Sequence, residues 1–61
     1  MLEKANLKAF QLSQKMGLEP AIEHVKKLLS LAHETLEAEP NAENSHAFNY
    51  WGDVMDELNE I

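Results

Sequence analysis

Cysteine and arginine are both absent from this 61-residue chain, and no lysine follows Lys27. Without cysteine there can be no disulfide and no thiolate metal site. No apolar run approaches the roughly 18 residues needed to cross a bilayer, and the N-terminal Met1-Leu2-Glu3-Lys4-Ala5-Asn6 is polar. The protein is therefore expected to be soluble and cytoplasmic, without a membrane partner. Glycine and proline occur only twice each, so chain-breaking positions are few and mark the element boundaries.

The lysines are distributed as unevenly as they are scarce. Residues 1–27 hold all five against Glu3, Glu19 and Glu23, a net charge of +2. Residues 28–61 hold eight carboxylates and no lysine, a net charge of −8. Direct nucleic-acid binding, which rests on clustered cations, is not expected of such a chain. The asymmetry points instead to a charged partner or to self-association. A single domain spanning residues 1–61 is also small enough that its core supplies only about 3–5 kcal/mol. With disulfides excluded, homo-oligomerisation is the expected reinforcement.

Apolar residues recur at helical spacing in three segments. Leu2, Ala5, Ala9, Leu12 and Met16 share one face and predict a helix over about 2–16, closed by Lys15 and Gly17. Leu18, Ile22, Val25, Leu29, Ala32 and Leu36, widened by Leu28 and Leu31, predict a second helix over about 19–38. Pro20 lies in its first turn and Pro40 beyond its end. Ala47, Trp51, Val54, Leu58 and Ile61, flanked by Phe48 and Met55, predict a third helix over about 42–60, with Asn41 or Ser45 as N-cap. Short connectors make the expected fold an all-α, up-down-up three-helix bundle.

Some residues are not used by these stripes. Leu7 and Phe10 form a second apolar edge nearly opposite the helix 1 seam, and Tyr50 falls outside the helix 3 stripe. Both are candidates for contact with another chain. Lys4, Lys8 and Lys15 lie on one stripe of helix 1, and Asp53, Asp56, Glu57 and Glu60 on one stripe of helix 3. These stripes could meet, within one molecule or between subunits, where they would set orientation more than stability. Glu37, Glu39, Glu57 and Glu60 sit at helix C-termini, where the macrodipole disfavours negative charge by about 0.3–1 kcal/mol each. Acidity placed against folding suggests service to a partner.

Catalytic patterns are weak. Glu43-Asn44-Ser45-His46 has the Glu-x-x-His spacing of di-iron bundles, but in one copy, so a di-metal site would need a dimer plus Glu34 or Glu37. His33-Glu34 begins a zinc-protease pattern that Glu37 leaves incomplete, and His24 lies on another face. A nucleophile and base pairing cannot be argued from Ser13, Ser30 or Ser45 without a pocket, for which a bundle this small leaves little room. A non-enzyme without cofactor is expected.

Two segments resemble known families. Leu12 to Pro20, a helix end followed by Gly17-Leu18, resembles the turn of helix-turn-helix DNA binders. The next helix, however, opens with Glu19 and Glu23 where a reading helix faces bases and phosphates. Leu36-Glu37-Ala38-Glu39-Pro40-Asn41-Ala42-Glu43, followed by Phe48-x-x-Trp51-Gly52-x-x-Met55, is similar to the junction between tetratricopeptide repeats over about 20 residues. That resemblance implies a paired second and third helix, with Gly52 permitting close approach.

The combined expectation is a small acidic interaction module, a regulator or inhibitor covering a basic surface of a partner protein. Asp53, Asp56, Glu57, Glu60, Glu37 and Glu39 supply the charge, and Leu7, Phe10 and Tyr50 the apolar contact. A phage or bacterial antagonist, including a nucleic-acid mimic, fits that description. The alternatives are a structural homo-oligomer using Leu7, Phe10 and the lysine stripe, and a di-metal helical dimer built on Glu43 and His46.

Overall fold

The computed structural model describes residues 4–61, and these form three α-helices packed against one another with no strand among them. They are α1 (Ala5–Met16), α2 (Leu18–Ala38) and α3 (Ala42–Glu60). At 1.5 Å per residue α2 alone is about 31 Å long, and the longest extent of the molecule is 33 Å. Both neighbours must therefore fold back alongside α2, which is the up-down-up arrangement.

Local chemistry accounts for the boundaries. Lys4 is extended, with ψ of 143°, so α1 begins at Ala5 and not at the expected Leu2, which lies outside the described residues. Gly17 both ends α1 and starts α2. Its N–H donates to the Ser13 carbonyl at 2.9 Å, and its own carbonyl accepts from Ala21 at 3.1 Å. Its φ of 91° and ψ of 161° belong to a region essentially reserved for glycine. Pro20 falls in the first turn of α2, where a missing N–H breaks no intrahelical bond. At the other turn, Asn41 caps α3 by accepting the Asn44 N–H on its side-chain oxygen at 2.8 Å.

The buried core is small: Ala9 and Leu12 of α1, Ala21 and Val25 of α2, and Val54 and Leu58 of α3. Ala5, Met16, Ile22, Tyr50, Trp51 and Met55 pack around it, half-buried. All six buried residues lie towards the Gly17 end, because α1, with 12 residues against 21 and 19, covers only part of the α2–α3 hairpin. From Val25 to Val54 no intervening residue is buried, although Leu28, Leu29, Ala32, Leu36, Ala47, Phe48 and Trp51 are half-buried.

Two expectations need correction. Leu31 does not widen the core face of α2, for it is 59% exposed. At about 100° per residue it lies some 120° around the helix from Val25, which points it to solvent. Nor does Gly52 mark a close helix approach, because a Cβ built there would meet nothing within 4 Å. The α2–α3 pairing implied by the resemblance is present, but Gly52 stands in open space and not at a close contact of it.

Candidate functional site

The geometry of α3 follows from what its two flanks touch. On one flank the Asn44 side chain donates to the Glu39 carbonyl at 2.7 Å and, more weakly, to the Thr35 carbonyl at 3.5 Å. Phe48, further along the same flank, has its ring 5.5 Å from that of His33. This side faces α2. Helical spacing puts Asp53, Asp56, Glu57 and Glu60 together within about 100° on the other side of α3, turned away from α2. Asp53, Asp56 and Glu60 are exposed and Glu57 is half-buried.

Among the described residues these four carboxylates form no ion pair. The one close contact between a basic and an acidic side chain among the described residues joins His33 Nε2 to Glu37 Oε1 at 3.1 Å, one turn apart on α2. Hence, among the described residues, no ion pair joins the lysine stripe of α1 to the acidic stripe of α3. Lys4 and Lys15 are exposed and Lys8 half-buried, none with a carboxylate among the described residues.

Two of the expected apolar contacts lie at the height of the acidic stripe, on another helix. Leu7 is 53% and Phe10 58% exposed. Since α1 and α3 run parallel, and Ala9 and Leu12 share a core with Val54 and Leu58, Leu7 and Phe10 stand level with Asp53 to Glu57 along the bundle. Tyr50 is different. It packs half-buried against the core, edge-on to Trp51 at a ring distance of 5.2 Å, so only part of it reaches the surface.

Glu37 and Glu39 are not part of this group. Both are exposed at the α2–α3 turn, and Asp53 lies 12 residues beyond Asn41, about 18 Å along α3. With exposed Glu34 and Glu43 they make a separate acidic end. The α2 and α3 C-termini carry no basic residue in their last turns, whereas α1 has Lys15 in its last turn. The electrostatic opposition between acidic residues and helix ends is therefore present at both sites.

Residues singled out for chemistry are dispersed. Glu43 and His46 are exposed at the start of α3, His24 and His33 are exposed on α2, and no three His, Asp or Glu side chains converge among the described residues. Ser13 donates its hydroxyl to the Phe10 carbonyl at 2.8 Å. The surface hollows are shallow and open, one bordered by Glu19, Pro20, Ile22 and Glu23, another by Lys26, Lys27, Ser30 and Leu31.

Comparison with protein-family models, curated proteins and solved structures found no match. Among the described residues no helix is long and apolar enough to cross a membrane.

The amino-acid pattern did not single out Asn44 or the open space at Gly52. The first was hidden because an asparagine three residues after an N-cap carries no distinctive signal. The second was hidden as well, since Gly52 lies one turn beyond Phe48, about 40° around the helix, next to the flank that faces α2.

Proposed function

We propose that this chain is a small acidic interaction module that covers a basic surface of a partner protein and thereby regulates or inhibits it. The observation that carries the reading is the stripe of Asp53, Asp56, Glu57 and Glu60, four carboxylates on one side of α3 without a cation among the described residues. Glu57 and Glu60, in the last turn of α3, also oppose the helix macrodipole, which lowers stability unless a partner neutralises them.

Two neighbouring features support the same reading. Gly52 leaves open space beside the stripe, where Ala would favour the helix by about 1 kcal/mol. Such a gap accepts the aliphatic stem of a partner lysine or arginine. Leu7 and Phe10, at the same height on α1, supply apolar area at the rim. Charge of one sign steers the encounter, and the apolar pair slows dissociation. No step of this reading needs a cofactor or catalysis. Antagonism of a nuclease or another nucleic-acid-binding protein, as by a phage or bacterial nucleic-acid mimic, is the form it takes most directly.

The test is a combined Asp53→Lys, Asp56→Lys and Glu57→Lys variant compared with the wild type for capture of basic proteins at low salt. The variant should keep its helical circular dichroism and lose the captured protein. Equal capture by both would overturn the proposal. The competing reading, a structural homo-oligomer, draws on the exposure of Leu7 and Phe10. It predicts that Leu7→Asp with Phe10→Asp changes the solution mass while the lysine variant does not.

A further inference from the structure

The outward face of α2 holds a pattern that neither the core nor the acidic stripe uses. Lys27, Leu31, Glu34 and Ala38, spaced four, three and four residues apart, form one exposed row, with Glu23 before it. Leu31, at 59%, is the most exposed leucine among the described residues. It borders a shallow hollow whose other walls are Lys26, Lys27 and the small Ser30. None of these lysines, nor Glu34, forms an ion pair among the described residues.

We infer that this face is a self-pairing surface, on which a second copy of the chain lays its own α2 antiparallel across a two-fold axis at Leu31. The order of charges selects that occupant and that direction. In an antiparallel pair centred on Leu31, Lys26 and Lys27 of each chain fall between Glu34 and Glu37 of the other, and the two Leu31 side chains meet over the Ser30 hollows. A parallel pair would set Lys27 against Lys27 and Glu34 against Glu34, which is repulsive. Glu23 falls at the edge level with Glu39 of the other copy, a like-charge pair at each rim that the four lysine contacts nearer the axis outweigh. A closed two-fold contact consumes the face in both copies and leads to a dimer, not a filament. A single leucine in a row about 18 Å long makes a small interface, so the dimer exchanges rapidly and responds to salt.

This inference stands apart from the acidic stripe of α3, and either can fail without the other. The test is sedimentation equilibrium of the full chain at low salt over a wide concentration range, with helical content followed by circular dichroism. The wild type should move from the mass of one chain towards that of two. Lys27→Glu and Glu34→Lys should each weaken association by about tenfold or more, since each turns both symmetric attractions into repulsions. An equimolar mixture of the two variants should regain dimerisation, because in the mixed pair both contacts again set a carboxylate against an ammonium. Leu31→Asp should abolish association alone and in mixtures. A wild type that stays monomeric, a dimer indifferent to Lys27→Glu, or a mixture no better than its components would each overturn the inference.

Discussion

The Asn44 carboxamide and the Glu39 carbonyl meet at 2.7 Å across the α2–α3 turn. The same carbonyl accepts the Asn41 N–H at 2.9 Å, and the Asn41 side chain in turn accepts the Asn44 N–H. Two asparagines thus satisfy the end of one helix and the start of the next.

Asn44→Ala is expected to cost about 1 kcal/mol through the lost bond to a helix-end carbonyl. Asn41→Ala should cost about 0.5–2 kcal/mol through the lost cap. Urea denaturation reads both as lower midpoints at unchanged slope. An unmoved midpoint for Asn44→Ala would mean that water replaces its bonds without loss.

The two glycines should respond in opposite directions. Gly17→Ala forces a side chain into glycine-only backbone geometry and should destabilise by about 1–3 kcal/mol, although its Cβ would meet no atom closer than the Pro20 ring at 3.7 Å. Gly52→Ala adds a methyl group to open space within a helix and should stabilise by about 0.5–1 kcal/mol. Thermal melts of the pair give the two signs directly.

Leucines should separate by position as sharply. Leu58 is fully buried, and Leu58→Ala should cost about 2–5 kcal/mol, enough to unfold most of the population of so small a domain. Leu31→Ala, measured at a dilution where only single chains remain, should stay within about 0.5 kcal/mol of wild type. A large loss at Leu31 under those conditions would place it in the core after all.

Protection of backbone amides should follow the uneven core. The segments around Ala21–Val25 and Val54–Leu58 are expected to exchange most slowly, and residues 30–48 faster despite being largely helical. Uniform protection along α2 would show that the hairpin end is held as firmly as the three-helix end.

Much of the fold was legible because its signals are local. Pro40 and Asn41 fix the second turn, Gly17 the first, and the Ile22, Val25, Leu29 spacing already assigns one side of α2 to the interior. What the pattern could not convey was how far each neighbour reaches. Leu31 reads as core only if a helix covers that side, and α1 is too short and wrongly placed to do so. Tyr50 reads as outside its stripe, yet α3 touches two helices and buries a wider arc than one stripe. The acidic site was legible as a set of residues but not as a shape. Linear order placed Glu37 and Glu39 with the α3 carboxylates, whereas the antiparallel hairpin carries them to opposite ends.

Gly17 and Pro20 together decide whose surface α1 occupies. A one-residue connector between helices invites the alternative of running straight on, which would join α1 and α2 into a rod about 50 Å long and oblige each copy to lend α1 to another. In that rod Pro20 would drive its ring into the Met16 carbonyl and remove a hydrogen bond from the interior, at a cost of about 3 kcal/mol or more. The reversal that only glycine permits is thus paired, three residues on, with a residue that penalises the straight form. Any association between copies then starts from closed protomers, surface against surface, and not from strands of chain exchanged during folding.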